Sequence, residues 1–298
     1  MGKVLVFGGS GFIGSYVVDE LLRRGYDVIA ADIQSSRYID PSCFVQCDIL
    51  NKREIERIFI DNKIDYVYNF AGMANLDDAI KDPVKTIELN ILGNMLILDL
   101  CNKYKIKRFI YASSAYAMSD KGSFYGISKL TSEKLIEEYN KKFGLKFTIL
   151  RYGSVYGDRN YHNNYIYNLL KEALETGVIE HSGDGEEVRE YIHVQDVAKL
   201  SVDIIESKKF ENEHLILTGV EKMRRKELFD MINEILGNKL EIKLKKDGYQ
   251  NHYKYTPYSF HPTRSKKLVA NPFIDLGQGI LDCLQDIERH RNENNKTQ

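Results

Sequence analysis

A glycine-rich turn stands near the amino terminus, in the stretch VLVFGGSGFIGS at positions 4–15. An apolar run typical of a buried strand precedes the turn, and an amphipathic helical stretch follows it. Gly8, Gly11 and Gly14 would serve a tight turn, close approach of a pyrophosphate to the backbone, and close packing of the helix on the strand. The position of this turn after the first strand predicts a βαβ unit that binds a dinucleotide.

Short apolar runs and amphipathic helical stretches continue to alternate through the first half of the chain. We predict strands at 3–7, 27–32, 43–48, 65–72, 107–114 and 146–157. We predict helices at 14–25, 52–62, 83–104 and 124–143. Such alternation, with strands that are apolar almost throughout, is typical of a parallel sheet covered on both faces. The predicted fold is therefore α/β, with a Rossmann-type doubly wound parallel sheet.

The second half of the chain is less regular than the first. We predict a Rossmann domain at 1–160 and a smaller, partly interleaved α/β lobe at 161–298 that binds the substrate. An apolar run near 213–219 could return to the main sheet as a further strand.

The bulk composition excludes several classes of function. The chain has 298 residues and a formal net charge of −1, so no general nucleic-acid or membrane surface is expected. No apolar run approaches the ~20 residues of a membrane span, and no signal peptide is evident, which favours a cytoplasmic protein. Cys43 and Cys47 lack a matching second pair or nearby histidines, so we expect no metal site.

An acidic residue, Asp32, ends the second predicted strand. A carboxylate here would accept hydrogen bonds from an adenosine ribose and repel a 2′-phosphate, which favours NAD over NADP. We interpret the nearby Arg37 as a solvated loop charge. Asp48 could bracket the adenine or cap the next helix. The residues predicted to contact NAD around these turns are Gly8, Gly11, Phe12, Ile13, Gly14, Asp32, Ile33, Asp48 and Ile49.

The stretch GSFYGISKL, residues 122–130, places Tyr125 and Lys129 on one face of a predicted helix. The preceding strand ends in two serines, and the carboxyl ends of parallel strands are where ligands bind. These side chains are therefore expected to converge beside a nicotinamide. Tyr167 and Lys171 have the same spacing but follow a polar loop, so we interpret them as a pair on a helix surface.

The Tyr125–Lys129 pair suits oxidation of an alcohol. A tyrosine with the usual pKa of about 10 is a poor base at neutral pH. A lysine ammonium on the same helix face, together with a positively charged nicotinamide, would favour the phenolate. A serine hydroxyl could hold the substrate oxygen in line.

Taken together, these motifs resemble a known family. They are GGSGFIG and Asp32, then NFAG at 69–72, YASS at 111–114, YGISK at 125–129, LRYGSVYG at 150–157 and VREYIHVQDVA at 188–198. In this order they resemble the extended short-chain dehydrogenase/reductases, and within them the NAD-dependent epimerase/dehydratase group that acts on nucleotide sugars. The resemblance covers residues 1–200 well and the remainder weakly.

The resemblance implies a role for each matching position. Ser114 would be the catalytic serine, or Ser113 if the register differs by one, while Tyr125 would be the base and Lys129 would also hold the nicotinamide ribose. Further cofactor contacts implied are Phe70, Ala71, Gly72, Asn90 and Tyr152. The substrate contacts implied are Ser113, Ser154, Arg189 and Arg264. The alternative for Arg189 is a surface ion pair with Glu187 or Glu190.

Departures from the family pattern reduce the number of reactions that this chain is expected to catalyse. Ala115 and Tyr116 stand where the family's dehydratases carry Asp-Glu, which disfavours a 4,6-dehydratase. What remains is reversible hydride transfer at C4 of a nucleotide-diphosphate sugar, and we favour a 4-epimerase. The alternatives are a hexose or heptose 4-dehydrogenase, a 4-ketosugar reductase and a non-catalytic NAD-binding sensor. The resemblance also implies a homodimer through the helices at 83–104 and 124–143.

Overall fold

The computed structural model describes residues 2–159, 164–245, 252–257 and 265–296. The strands are β1 (Lys3–Phe7), β2 (Asp27–Asp32), β3 (Phe44–Gln46), β4 (Tyr66–Asn69), β5 (Arg108–Ser114), β6 (Phe147–Tyr152), β7 (Ser154–Tyr156), β8 (Val178–Ser182), β9 (Val188–Arg189), β10 (Tyr191–His193), β11 (Glu213–Leu217), β12 (Met223–Arg224), β13 (Glu241–Lys245) and β14 (Lys266–Leu268). The α-helices are α1 (Phe12–Arg23), α2 (Lys52–Asp61), α3 (Leu76–Lys81), α4 (Pro83–Ile87), α5 (Asn94–Lys103), α6 (Ser123–Phe143), α7 (Tyr165–Thr176), α8 (Val194–Asp203), α9 (Arg225–Ile235) and α10 (Leu276–Lys296).

A central sheet of eight strands organises the chain, in the order β14-β11-β6-β5-β4-β1-β2-β3. Every neighbouring pair of strands in this sheet is parallel. The strand order reverses direction between β1 and β4, and a crevice for ligands forms at such a point outside the carboxyl ends of the strands. The predicted Rossmann-type doubly wound fold is confirmed.

Helices cover both faces of the sheet. On one face α1 and α8 pack together, and the core there contains fully buried side chains such as Val17 and Val197. On the other face α2, α5 and α6 enclose a second core that includes Ile55, Leu98 and Ile136. The strands are therefore buried on both sides, as their apolar sequences predict.

The second half of the chain contributes more to the sheet than the sequence predicted. The run near 213–219 forms β11, which pairs with β6. The short strand β14 then pairs with β11 at the sheet edge. Its sequence, Lys-Lys-Leu, carries little strand signal, so the prediction missed it. A third core, built from α7, α9 and α10, lies outside the sheet.

The helix predicted at 83–104 is not one regular α-helix. A π-helical turn, Glu88–Gly93, joins α4 to α5. The short helix α3, which the sequence did not predict, precedes α4. A π-turn admits one extra residue and frequently occurs at functional sites, and here it carries Asn90.

Among the residues that the structure describes, no helix combines the length and the apolar character needed to cross a membrane. Within the same residues, no group of three or more His, Cys, Asp or Glu side chains is placed to hold a metal ion.

Candidate active site

The glycine turn between β1 and α1 is closely packed. Gly8 has a φ of +73°, a conformation that favours glycine, and a Cβ on it would lie 2.6 Å from the Ala71 amide nitrogen. A Cβ on Gly14 would lie 2.1 Å from the Gly8 carbonyl oxygen. Gly11 is the N-cap of α1, and no side chain caps the helix. The first-turn N–H groups and the positive end of the helix dipole can therefore receive a phosphate.

Asp32 lies at the carboxyl end of β2, next to this turn. Its carboxylate accepts hydrogen bonds from the amides of Ser10, at 3.1 Å, and Ile33, at 2.8 Å. Burial raises the pKa of Asp32, and these amide hydrogen bonds oppose the rise. The Ser10 hydroxyl is buried and has no hydrogen-bond partner among the described residues. An unpaired hydroxyl beside an oriented carboxylate fits a ribose, whose hydroxyl groups both donate and accept.

The turn after β3 resolves one alternative for Asp48. The N-cap of α2 is Asn51, whose side chain accepts from the amides of Arg53 and Glu54, so Asp48 does not cap this helix. Asp48 instead lines a surface pocket, together with Ile33, Gln46 and Glu54. That location is compatible with its predicted place beside the adenine.

Ile49 and Arg37 lie near the predicted adenosine region. The side chain of Ile49, which is predicted to contact NAD, is buried, and a Cβ on Gly93 would lie 2.8 Å from its Cδ1 atom. Ile49 therefore packs against the π-turn. Arg37 is exposed, as expected of a loop charge. Its guanidinium also contacts the Tyr38 hydroxyl at 3.1 Å and the His290 ring nitrogen Nε2 at 2.7 Å.

Asn90 fixes the loop that follows β4. Its side chain accepts a hydrogen bond from the Met73 amide at 2.8 Å and donates one to the Met73 carbonyl oxygen at 3.0 Å. It also donates to the Ser128 hydroxyl at 2.8 Å, which links this loop to α6. A Cβ on Gly72 would lie 2.3 Å from the Asn90 Oδ1 atom, so the loop lies tightly against this side chain. Asn90 thus joins the loop after β4 to the helix that carries Tyr125.

Ser114, Tyr125 and Lys129 converge at the carboxyl end of β5. The Ser114 hydroxyl lies near the Tyr125 side chain and favours its ionised form. The Lys129 ammonium donates to the Ala112 carbonyl oxygen at 2.8 Å and lies 5.9 Å from the centre of the Tyr125 ring. Both Tyr125 and Lys129 are buried. The structure therefore brings together the three residues predicted to be catalytic.

Burial controls the ionisation of this group. Burial raises the pKa of Tyr125, and the nearby Ser114 hydroxyl opposes the rise. Burial also lowers the pKa of Lys129 to about 8, and the nearby Glu133 carboxylate opposes the fall. Lys129 therefore remains mainly protonated at pH 7, and its positive charge can favour the Tyr125 phenolate.

Ser113, the alternative catalytic serine, has a different environment. Its hydroxyl donates to the Glu133 carboxylate at 2.6 Å. Glu133 is itself in a buried, two-point ion pair with Arg151, at 2.9 and 2.6 Å. The sequence analysis missed this pair, although Glu133 lies one helical turn after Lys129. Ser113 belongs to this interior network and is turned away from Tyr125.

Phe70 and Tyr152 stack on one another, with ring centres 6.2 Å apart. The Tyr152 ring is buried in the core between the sheet and α8, and its hydroxyl is hydrogen-bonded to that of Ser201 at 2.9 Å. Phe70 is partly buried, and the Tyr152 ring supports it. The contacts of both residues with NAD stay predictions.

Tyr167 and Lys171 are not a surface pair. Tyr167 is buried in the third core, between α7 and its neighbours, whereas Lys171 is exposed. Identical spacing thus serves packing in α7 and brings functional groups together in α6.

The predicted substrate residues have different outcomes. Arg189 is buried, so it is not a surface ion pair. Its guanidinium donates to the Tyr253 carbonyl oxygen at 2.7 Å and lies 4.1 Å from the centre of the Tyr253 ring. Ser154 begins β7 and pairs with Tyr191 of β10. Arg264 lies outside the described residues.

Comparison with known proteins places the chain in a family. The sequence model of the NAD dependent epimerase/dehydratase family matches residues 4–217. A putative UDP-glucose 4-epimerase from Methanocaldococcus jannaschii is 30% identical over 93% of this chain and 95% of its own length.

Two solved structures of similar fold extend the comparison. A UDP-glucose 4-epimerase from Thermotoga maritima, with UDP-glucose, matches 97% of this chain and 99% of its own with a TM-score of 0.83 and 27% identity. A UDP-glucuronic acid 4-epimerase from Bacillus cereus, with its substrate and NAD, matches 96% and 99% with a TM-score of 0.83 and 26% identity. The prediction of NAD as cofactor is confirmed, and the chain belongs to the NAD-dependent epimerase/dehydratase family of enzymes.

Proposed function

We propose that this protein is an NAD-dependent 4-epimerase of a UDP-sugar. The observation that carries the proposal is the convergence of Ser114, Tyr125 and Lys129 at the same edge of the parallel sheet as the glycine turn, with no carboxylate at positions 115 and 116. The named relatives, which are 4-epimerases of UDP-glucose or UDP-glucuronic acid, support the choice of reaction and nucleotide.

The side chains at this site can manage the proton of the C4 hydroxyl group. Tyr125 would accept that proton, while Ser114 would hold the sugar oxygen by a hydrogen bond. Lys129 would stabilise the phenolate through its charge. The chemistry that bound NAD supplies is the reversible uptake of a hydride. Inversion follows if the sugar turns in the pocket before Tyr125 returns the proton.

The cofactor would lie along the turns already described. The first turn of α1 would face the pyrophosphate, Asp32 the adenosine ribose, and Asp48 the adenine. Lys129 would also hold the nicotinamide ribose. Arg189 lies in the second half of the chain, and Ser154 lies just before that half begins. We assign residues 161–298, apart from the strands that they give to the sheet, to binding the nucleotide sugar together with Ser154.

A panel of nucleotide sugars separates the proposed reaction from its alternatives. The panel would contain UDP-, GDP-, CDP- and dTDP-hexoses, with product stereochemistry followed by NMR and NADH by absorbance. We expect inversion at C4 of a UDP-sugar with no net NADH. Stoichiometric NADH with a released 4-ketosugar would instead indicate a dehydrogenase. Absence of any reaction would indicate a non-catalytic NAD-binding protein.

Removal of the Tyr125 hydroxyl tests the assigned base. We expect Tyr125→Phe to lower kcat by at least a factor of 100, which is the typical contribution of a general base, while NAD still binds. Tyr167→Phe is a matched control, because it makes the same change at the same Tyr–Lys spacing and should retain turnover. Comparable turnover in the two variants would contradict the mechanism.

We further propose that the protein is a homodimer through the surface of α4, α5 and α6. Val84, Ile127 and Leu130 are large apolar side chains on these helices, exposed by 68%, 58% and 41%. Ile127→Glu should convert the dimer to a monomer in sedimentation velocity. Ile60→Glu, on the equally exposed apolar surface of α2, should not. A wild-type monomer at micromolar concentration would contradict this proposal.

A further inference from the structure

A short segment, residues 252–257, lies between the substrate-binding half of the chain and the catalytic residues. We call it the bridging segment. On one side Arg189 donates to the carbonyl oxygen of Tyr253 and stacks on its ring. On the other side the Nδ1 atom of His252 is hydrogen-bonded to the Tyr116 hydroxyl at 2.7 Å. The bridging segment is therefore held from both parts of the molecule.

Tyr116 is held in place in the turn that directly follows Ser114, which we call the catalytic turn. It belongs to the 3₁₀ turn Ala115–Met118, and its amide donates to the Ser114 hydroxyl oxygen at 3.3 Å. Its ring lies edge-on to the Tyr125 ring, with centres 6.0 Å apart. A Cβ on Gly122 would lie 2.7 Å from the Tyr116 Cδ1 atom, so the turn before α6 packs directly on the ring. Backbone and ring are thereby held in place, and the Tyr116 hydroxyl reaches His252 of the bridging segment.

The three aromatic rings form a wall beside Tyr125. The Tyr116 and Tyr253 rings lie 4.7 Å apart at an angle of 48°, and the Tyr116 and His252 rings lie 6.2 Å apart. These contacts join residues that are 136 or more positions apart in the sequence. Ring packing alone would allow the bridging segment to shift along the Tyr116 ring. The directional hydrogen bond restricts the segment to one position against the turn Ala115–Met118.

We propose that the Tyr116–His252 hydrogen bond is a positioning contact that keeps the bridging segment closed beside Tyr125 and so retains the 4-ketosugar until it is reduced. This inference rests on the proposed function. Oxidation breaks the O–H and C4–H bonds of the sugar, passing the proton to Tyr125 and the hydride to NAD. Release at that stage yields a free 4-ketosugar and leaves NADH on the protein. Retention and return of the hydride complete the epimerisation.

Loss of this hydrogen bond should change how the 4-ketosugar partitions between release and reduction, and two variants test this. Tyr116→Phe keeps the ring and removes the hydroxyl, and His252→Ala removes its partner. Each should raise the ratio of released 4-ketosugar to epimerised product by roughly three- to ten-fold, the effect expected from one neutral hydrogen bond. The double variant should show no more than the larger single effect, because both changes remove the same bond.

The assay uses the full-length protein with UDP-glucose or UDP-galactose and measures bound NADH by fluorescence and free 4-ketosugar by trapping with borodeuteride. Tyr104→Phe is the control, since it loses a tyrosine hydroxyl that contacts Glu56, and Tyr104 precedes β5 whereas Tyr116 follows it. An unchanged ratio in both variants, or additive effects in the double variant, would overturn the proposal.

A second measurement separates this inference from the proposed function. Hydrogen exchange of the amides in the bridging segment should be roughly three- to ten-fold faster in Tyr116→Phe than in the wild type, even without substrate. If no nucleotide sugar reacts, the proposed function fails while this measurement still decides whether the contact holds the segment. Equal exchange in both proteins would overturn the positioning role.

Discussion

Lys129 is the residue that carries the largest conflict between stability and function. Its ammonium is buried, and burial lowers its pKa to about 8. The neighbouring carboxylate that could neutralise it, Glu133, is already paired with Arg151. Burying a charge without a direct ion pair destabilises the folded chain. The same charge lies beside Tyr125, where it favours the phenolate. Such a residue is expected where stability is lost in favour of chemistry.

This conflict predicts that Lys129→Met is inactive but more stable than the wild type. A pKa lowered from 10.5 to about 8 corresponds to roughly 3 kcal/mol. Part of this free energy is offset because the Ala112 carbonyl oxygen loses its hydrogen-bond donor. We therefore expect the free energy of unfolding of Lys129→Met to exceed that of the wild type by about 1–2 kcal/mol at pH 7. Urea denaturation would measure the free energy of unfolding of both proteins.

The gain should depend on pH in a defined direction. Between about pH 8 and 10.5 the folded wild type has released the Lys129 proton while the unfolded chain still binds it. The contribution of Lys129 to the free energy of unfolding therefore rises with pH, and the advantage of Lys129→Met should shrink. Lys134→Met, an exposed position on the same helix, should show neither effect. A Lys129→Met protein less stable than the wild type at pH 7 would contradict the burial argument.

The glycine turn and α1 act as one element. The tightest position is Gly14, where an added Cβ would lie 2.1 Å from the Gly8 carbonyl oxygen. Backbone cannot yield as a flexible side chain can, so an added methyl group must displace the start of α1. The N–H groups that we propose bind the phosphates belong to that same first turn.

Gly14→Ala should therefore lose NAD binding as well as stability. We expect the Kd for NAD to rise by at least ten-fold and the free energy of unfolding to fall by about 2–3 kcal/mol, which is typical of overpacking. Calorimetric titration and thermal unfolding would measure the two effects. Gly177→Ala is the control: it strains a glycine at φ +70° with nothing within 4 Å of the added Cβ. That variant should lose stability and keep its affinity for NAD.

Local signals in the sequence predicted the elements that depend on local spacing. The turn at Gly8–Gly14 and the shared helix face of Tyr125 and Lys129 follow from residues a few positions apart. The π-turn at Glu88–Gly93 could not be predicted, because a single extra residue leaves the apolar periodicity of the helix almost unchanged. Likewise, the strand β14 is too short and polar to produce a pattern.

At the scale of the whole molecule, contacts between residues far apart in the sequence determine which side chains reach the site. The sequence favoured Ser114 as the catalytic serine and kept Ser113 as the alternative. The Glu133 carboxylate, which is paired with Arg151, accepts the hydrogen bond of the Ser113 hydroxyl and so distinguishes the two serines. The contact between Tyr116 and His252 likewise depends on how the two halves of the chain fold together. Neither pairing has a signal in local sequence, since ion pairs and hydrogen bonds across 18 to 136 positions are set by topology.

The interleaved topology also explains why one sheet can serve both ligands. Strands β11 and β14 come from the second half of the chain yet extend the same sheet that carries β1 and β5. The second half of the chain, which we propose binds the nucleotide sugar, is thereby anchored to the sheet whose strands end at the glycine turn and at Ser114. Reversible oxidation at one carbon requires this fixed relation between sugar and cofactor.

The central claim is that one hydride leaves and returns to C4 of a UDP-sugar. The most direct measurement uses UDP-glucose that carries deuterium at C4, with the wild-type protein and no added cofactor or reductant beyond NAD. If the same hydride leaves and returns, we expect UDP-galactose that retains the deuterium at C4. Loss of deuterium to solvent in an inverted product, or no inversion of any UDP-sugar, would contradict it.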